Sequence, residues 1–213
     1  MPLIKREKPE RPVDERKQPR TREFLLVELN SQSDFERRMA VRDLAECSAV
    51  SEALCRRLEI EEEASVRAVL FSSLTLIGDP EAVSGLIALL RSEDAELRNG
   101  SIEALRCLPE QVGAHIESLL HDADSDVRIF TVNILQELPH PSVPDWLWQV
   151  IEDESQVNVC AAAVDLLAEL GTPEMVPALL ALKERFADTP YIAFSVDLTV
   201  ERIHTASVIE FPA

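Results

Sequence analysis

The residue types that most often carry catalysis are sparse in this chain, and their spacing builds no recognisable site. The sequence has four histidines and four cysteines, without a His-Glu dipeptide, a C-x-x-C pair or a close cluster of metal ligands. The thiols of Cys47, Cys55, Cys107 and Cys160 are interpreted as free and inert, and those of Cys107 and Cys160 as buried among small apolar residues. We therefore predict no catalytic residue, no metal site, no cofactor and no enzyme activity.

The net charge of the chain is −18 and is distributed unevenly. Residues 1–23 hold eight basic and five acidic residues, whereas the remainder holds 13 basic and 34 acidic residues, a net charge of −21. An acidic body repels phosphate backbones and anionic lipid, so we expect neither nucleic acid nor a membrane as a partner. Basic or apolar protein partners fit better. There is no apolar run of about 18 residues and no signal peptide, so a cytoplasmic location is expected.

A repeated helical pattern organises most of the chain. Four segments align on the apolar residues Val66, Leu97, Val127 and Val159, which are spaced 31, 30 and 32 residues apart. In each segment, apolar or small residues recur at offsets of about +3, +4, +7, +8 and +11. This spacing is one face of an α-helix, and a period near 31 indicates a stacked array of repeats.

A second helix is predicted between successive copies of the first pattern. The segment 79–90, DPEAVSGLIALL, matches TPEMVPALLALK 93 residues further on, which is three periods of 31. Pro80 and Pro173 are placed in a first helical turn, where a missing N–H costs nothing. Gly78 and Gly171 fall where the preceding helix ends, a position that glycine favours.

Counting helix pairs gives six units. Their approximate bounds are 22–47, 49–77, 80–108, 110–138, 142–170 and 173–204. Ser33 and Glu36 form an S-x-x-E capping box in the first unit, which marks the start of its second helix. We therefore divide the chain into a basic, proline-rich, disordered arm at 1–20, a repeat array at 21–204 and an irregular tail at 205–213.

These segments resemble HEAT repeats, specifically the short HEAT-like repeats of phycobilisome linker-pigment lyases. The resemblance covers about 180 of the 213 residues. It implies an all-α, right-handed α-solenoid of about six helix pairs, with an arginine and an acidic residue near the start of the second helices forming a ladder along the stack. The ladder positions in this chain are Arg37, Arg67, Arg98 and Arg128, with Glu63, Asp94 and Asp124. The ladder stops afterwards, because Cys160 and Ala193 occupy the arginine positions.

The resemblance also implies that second helices line the concave side of the array. Side chains at offsets +2 and +6 of those helices point away from the core and form a predicted partner-binding strip. Its members are Arg42, Ser72, Asn99, Glu103, Ile129, Asn133, Asp165 and Phe194. Trp148 lies on a first helix beside Asp145 and Glu152, and is predicted to be a further contact on the convex side.

Two functions remain open at this point. The main interpretation is a non-catalytic scaffold or adaptor for protein–protein interaction, in bacterial signalling or complex assembly. The alternative, implied by the resemblance, is a phycobilin lyase-like chaperone enzyme acting on a pigment protein. The sequence leaves open the identity of the partner and whether the chain forms a homodimer.

Overall fold

A computed structural model describes residues 20–210, which form two layers of helices stacked pair upon pair. The twelve α-helices are α1 (Arg22–Glu28), α2 (Asp34–Leu44), α3 (Ser51–Ile60), α4 (Ala64–Ile77), α5 (Pro80–Leu89), α6 (Ala95–Arg106), α7 (Pro109–Leu120), α8 (Ser125–Leu135), α9 (Val143–Asp153), α10 (Val157–Leu170), α11 (Val176–Arg185) and α12 (Pro190–Glu210). The described residues contain no β-strand. The predicted all-α solenoid of six helix pairs is confirmed.

The even-numbered and odd-numbered helices form separate layers, here called the even layer and the odd layer. Neighbouring even helices pack on each other from α2 to α12, and neighbouring odd helices do so from α3 to α11. The even layer is the more closely packed of the two through the middle of the array, which suits an inner, concave position. Helix α1 differs, because it packs mainly on α2.

Buried apolar side chains between the layers form one continuous core along the stack. The repeat anchors Val66, Val127 and Val159 are fully buried, and Leu97 is nearly so. Burying one such side chain contributes about 1.5–3 kcal/mol relative to exposing it. Each unit therefore adds a similar layer of core, which is why the 31-residue period is so regular.

Capping residues define several helix boundaries. The hydroxyl of Ser33 accepts a hydrogen bond from the backbone N–H of Glu36, and the carboxylate of Asp79 caps α5 ahead of Pro80. Gly78 ends α4 with a φ of +55°, in the left-handed region that favours glycine. These caps form at the residues where the sequence predicts the helix boundaries.

The matching segment at Pro173 folds differently from the one at Pro80. Residues Pro173–Met175 form a 3₁₀ turn, and α11 begins only at Val176. The reason is Pro177, which lacks the N–H that would bond the carbonyl of Pro173 in a continuous helix. Gly171 has extended backbone rather than a left-handed turn, and a Cβ there would lie 2.7 Å from the Cδ1 atom of Ile203.

The two ends of the chain complete the fold. Residues 205–210, expected to be irregular, continue α12 to Glu210, the last described residue. The predicted disordered arm lies outside the described residues except for Arg20. The guanidinium of Arg20 forms ion pairs with Glu28 of α1 and Asp43 of α2.

Candidate functional site: the even-layer trough and the arginine ladder

A trough crosses the even layer over α6, α8 and α10, and we call it the even-layer trough. It consists of two adjoining depressions of about 260 and 290 Å³. Both depressions are lined by Asn133 of α8 and by Gln136, the residue that follows α8. These two residues join the depressions into one surface. The remaining lining residues are Asn99, Ile102, Glu103, Arg106, Ala162, Asp165, Leu166, Glu169 and Leu170.

Four residues of the predicted partner-binding strip line the even-layer trough. They are Asn99, Glu103, Asn133 and Asp165, which come from three successive even helices. Their common offsets place them on one side of the stack because each unit repeats the same helix orientation. The structure therefore brings together side chains that are up to 66 residues apart in the sequence.

The other members of the strip have different surroundings. Arg42 and Ser72 are exposed but lie outside the trough lining, and Ile129 is half-buried against the core. Phe194 lies on α12 and is 67% exposed. Trp148 lies on α9 of the odd layer, half-buried and packed against the core.

The lining charge of the trough is negative. Arg106 is the single cation among its lining residues, and its guanidinium donates to the carbonyl oxygen of Asn133 at 2.7 Å from Nη2. Arg106 also pairs with Glu103 at 2.8 Å and with Glu137 at 3.5 Å. Its charge is therefore already engaged, and it fixes α6 against α8.

The second depression carries two carboxylates without a salt bridge among the described residues. Asp165 and Glu169 are exposed and lie one turn apart on α10. Leu166 and Leu170 follow the same helix and supply apolar surface beside them. This combination of carboxylates, carboxamides and leucines can hold a protein surface through hydrogen bonds, charge and apolar contact.

Sequence reasoning missed three polar lining residues, Arg106, Gln136 and Glu169. They lie at offsets +9, +9 and +10 from their anchors, which the choice of +2 and +6 left out. The outward face of an even helix is wider than two positions because successive turns contribute residues three and four apart. Including the +9 and +10 offsets would have found all three.

The arginine ladder begins with a buried ion pair between the first two units. The guanidinium of Arg37 donates to both carboxylate oxygens of Glu61, with Nε and Nη2 each at 2.8 Å. Arg57 donates to the same carboxylate, which is only 1% exposed. Burial raises the pKa of Glu61, but the bonds from Arg37, Arg57 and the backbone N–H of Glu63 outweigh it and hold the pKa at about 2.

Two further joints also use an arginine and a carboxylate from adjacent units. Arg128 donates to Glu154 through Nε at 2.7 Å and Nη2 at 3.2 Å. Burial alone raises the pKa of Glu154, yet the charge and hydrogen bonds of Arg128 lower it overall. Arg67 pairs with Asp94 at 2.8 Å and with Glu96 at 2.9 Å. In each pair the carboxylate belongs to the unit that follows the arginine.

Each ladder arginine also holds the turn within its own unit. In each case the guanidinium donates a hydrogen bond to the backbone carbonyl of the residue six positions earlier. This holds for Arg37, Arg67, Arg98 and Arg128. Arg98 differs from the other three in its contact with the next unit, which is an aromatic ring and not a carboxylate. Its Cζ atom lies 5.6 Å from the centroid of the Phe130 ring. Cys160 takes the arginine position in the fifth unit, and its buried thiol lies 3.5 Å from the carbonyl oxygen of Glu154.

The three ladder carboxylates predicted from the sequence make different kinds of contact. Asp94 pairs with Arg67 of the preceding unit and also caps α6. Asp124 caps α8, and Glu63 accepts a hydrogen bond from the hydroxyl of Ser65. Glu61 and Glu154 were not predicted as ladder partners. They belong to a series with the same spacing of 31, 30 and 32 as the repeat anchors, namely Glu61, Ser92, Asp122 and Glu154.

The four cysteines differ in their burial. Cys107 was expected to be buried but is exposed, because α6 ends at Arg106 and the thiol lies beyond the packed face. Cys55 and Cys160 are buried, and burial raises the pKa of the Cys55 thiol to about 11. Within residues 20–210, no group of three or more histidine, cysteine, aspartate or glutamate side chains is placed to hold a metal ion. No described helix is long and apolar enough to span a membrane.

The fold and repeat geometry define an α-solenoid, and comparison with known proteins identifies its family. A sequence profile of HEAT repeats matches residues 22–106 and 114–190. The chain belongs to the HEAT-repeat family. Its scaffold is a stack of HEAT units that presents extended surfaces.

Individual similar proteins were also found. The bilin biosynthesis protein PecE of Mastigocladus laminosus is 30% identical over 152 residues, which cover 69% of this chain and 56% of PecE. The chain thus spans about half the length of this curated relative. The CpcE–CpcF complex of phycocyanin lyase from Nostoc sp. PCC7120 aligns at 19% identity, covering 95% of this chain and 100% of that one, with a TM-score of 0.38. A designed armadillo repeat protein in complex with the peptide (KR)4 aligns at 19% identity, covering 84% and 98% of the two chains, with a TM-score of 0.41.

The similarity to PecE corrects one prediction. Absence of familiar catalytic motifs led us to expect no enzyme activity, and this prediction is wrong, since the chain is related to a bilin biosynthesis protein over two thirds of its length. A search for short catalytic motifs did not reveal this relationship, because the similarity is spread over 152 residues of the chain.

Proposed function

We propose that this chain is a lyase-like subunit that acts on a pigment protein during bilin attachment. The observation that carries the proposal is the 30% identity to the bilin biosynthesis protein PecE across 152 residues of the repeat array. The lyase-like alternative inferred from the short repeats agrees with this similarity. Because only part of PecE is covered, the proposal concerns the repeat array and not an entire PecE-like protein.

The even-layer trough is the surface that we assign to the pigment protein. It spans three helices, and neighbouring helix axes are about 8–10 Å apart, so it offers a contact about 20–30 Å long. The proposed contact residues are Arg42, Ser72, Asn99, Glu103, Ile129, Asn133, Asp165 and Phe194. Trp148 of the odd layer is a separate proposed contact.

The expected contribution of the trough to the reaction is positioning. Carboxamide groups of Asn99, Asn133 and Gln136 donate and accept hydrogen bonds, while Asp165 and Glu169 accept them. Holding the pigment protein in one orientation toward the bilin turns a bimolecular encounter into an oriented one. Such positioning raises a reaction rate without a nucleophile or general base from the scaffold.

A reconstituted attachment reaction tests this function. Purified chain is mixed with phycocyanin apoprotein and free phycocyanobilin, and covalent product is measured as zinc-enhanced bilin fluorescence on a denaturing gel. We expect the chain to raise the initial rate of covalent attachment above that of the apoprotein and bilin alone. An unchanged rate would contradict the lyase-like function.

A pair of charge-reversal variants locates the contact. Asp165→Lys combined with Glu169→Lys changes the trough, and Glu110→Lys combined with Glu117→Lys makes the same change on exposed positions of α7 in the odd layer. We expect the first variant to lose most of the rate enhancement and the second to keep it. Equal loss in both variants would show that overall charge, and not the trough, governs the reaction.

A further inference from the structure

A second concave surface lies on the opposite layer, between α1 and α3. This odd-layer cleft has a volume of about 510 Å³. Its apolar lining includes Leu26 of α1 and Leu29, the residue after that helix, together with Ala53 and Ile60 of α3. None of these residues belongs to the even-layer trough, so the cleft is a separate site.

The cleft exists because α1 is too short to cover its neighbour. Helix α1 has seven residues, whereas α3 has ten, and α1 packs mainly on α2. The end of α3 is consequently uncovered, and Ile60 is 66% exposed.

Three arginines and one carboxylate provide the charges of the cleft lining. Arg22 is held by a 2.7 Å hydrogen bond from Nη2 to the carbonyl oxygen of Ala49. Arg56 pairs with the single lining carboxylate, Glu52, in an exposed contact at 2.6 Å. Arg57 is the third arginine and bonds to Glu61. The lining therefore has a formal charge of +2 in a chain whose net charge is −18.

Ala49 gives the rim of the cleft a fixed shape. Its φ is +56°, a left-handed conformation that is unusual for a residue with a Cβ atom. The bond from Arg22 to the carbonyl of Ala49 holds this turn against α1. A preformed rim reduces the ordering that binding would require.

We propose that the odd-layer cleft binds an acidic, amphipathic segment of a partner protein. Apolar side chains of that segment fill the space beside Leu26, Ala53 and Ile60, and its carboxylates pair with Arg22 and Arg56. Arginine forks bind carboxylates through charge-assisted hydrogen bonds. The chain's own residues 1–19 contain six basic and four acidic residues, so their net charge is +2 and does not complement the cleft.

A phage-displayed library of random 12-residue peptides, selected against the full chain, tests this chemistry. We expect the enriched peptides to be acidic, with apolar residues three or four apart. The best peptide is then synthesised with a fluorophore, and its affinity is measured by fluorescence anisotropy. Arg22→Gln combined with Arg56→Gln should weaken its binding at least tenfold.

Two single variants complete the test. Ile60→Glu puts a carboxylate at the mouth of the cleft and should also weaken binding at least tenfold, and Ile60 is exposed enough for the fold to tolerate the change. Leu76→Glu makes the same change at a 76% exposed position on the even layer and should bind as the wild type does.

Several results would overturn the proposal. They are enrichment of basic peptides, no enrichment at all, or binding of the selected peptide by the arginine and Ile60 variants that is as tight as binding by the wild type. Tighter peptide binding after deletion of residues 1–19 would show that the chain's own segment occupies the cleft. A dimer that dissociates in the Ile60→Glu variant would assign the cleft to a second copy of the chain.

Discussion

The joint between the first and second helix pairs and the joint between the fifth and sixth are built from different interactions. At the first joint, Arg37 inserts its guanidinium beside the buried carboxylate of Glu61. At the last joint, Cys160 stands where the arginine would be, and α10 and α12 make extensive contact instead. The same repeat unit is therefore joined by a charge pair at one end of the array and mainly by apolar packing at the other.

The last joint has its own polar contacts, but they differ in kind. The hydroxyl of Thr199 donates to the carbonyl of Val164 at 3.2 Å, and Arg185 donates to the carbonyls of Ile151 and Glu152. These bonds use backbone acceptors and leave no carboxylate buried. We therefore expect the first joint to be sensitive to substitution and pH, and the last joint to depend on close packing.

The largest expected effect follows removal of the carboxylate at the first joint. Glu61→Ala leaves Arg37 buried without its carboxylate partner, and breaking a buried pair in this way costs about 3–5 kcal/mol. The free energy of unfolding in urea measures the loss. Glu59→Ala, at an exposed position on the same helix, is the control and should change stability by less than about 0.5 kcal/mol. Equal effects would show that the buried pair is not what joins these units.

Acid should weaken the first joint more than the last. The pKa of Glu61 is about 2 in the folded chain against an ordinary value of 4.5, so its contribution is fully present above pH 4.5. That contribution, about 3 kcal/mol, is lost as the pH falls from about 5 to about 2. The Glu61→Gln variant should lose correspondingly less stability over this range. Parallel pH profiles for the two proteins would contradict the low pKa.

The fourth joint should show an intermediate effect. Arg128→Met removes the partner of Glu154, whose carboxylate keeps hydrogen bonds from the backbone N–H groups of Ser155 and Gln156. Because those bonds remain, we expect a loss of about 2 kcal/mol, smaller than for Glu61→Ala. Urea unfolding measures it, with Arg202→Met, at an exposed position of α12, as the control. A loss as large as that of Glu61→Ala would remove the distinction between the two joints.

The smallest effect is expected at the last joint. Thr199→Val removes the buried hydroxyl but preserves its volume, and should cost about 1 kcal/mol by thermal or urea unfolding. The cost should not vary between low and high salt, because no ionic partner is lost. A marked dependence on salt would show that charge also governs this joint.

Much of the fold was predictable because the core repeats. Apolar spacing of 30–32 residues fixes which helix faces are buried, and the structure buries Val66, Val127 and Val159 accordingly. The 3₁₀ turn at Pro173–Met175 was not predicted. Pro177 interrupts a helix there only because a continuous helix would need its N–H to bond the carbonyl of Pro173. The helix signals at Pro80 and Pro173 look alike, but Pro177 stands four residues after Pro173 where the matching segment has Ser84.

The surfaces were predictable only in part. The offsets +2 and +6 follow from helix geometry. Of the eight strip residues that they predicted, four line the trough. The odd-layer cleft left no signal, because it results from the different lengths of α1 and α3 and from how α1 packs. Glu61 was missed as a ladder partner because its role requires the preceding unit, which carries Arg37, to be in place.

Photo-crosslinking tests most directly whether the even-layer trough is the partner-binding surface. A benzoylphenylalanine replaces Asn133 in one protein and Glu117, exposed on α7 of the odd layer, in another. Each is irradiated with phycocyanin apoprotein and bilin, and the products are separated by mass. We predict a crosslink to the apoprotein from position 133 and little or none from position 117. A crosslink from position 117 with none from position 133 would contradict the assignment of the trough as the partner-binding surface.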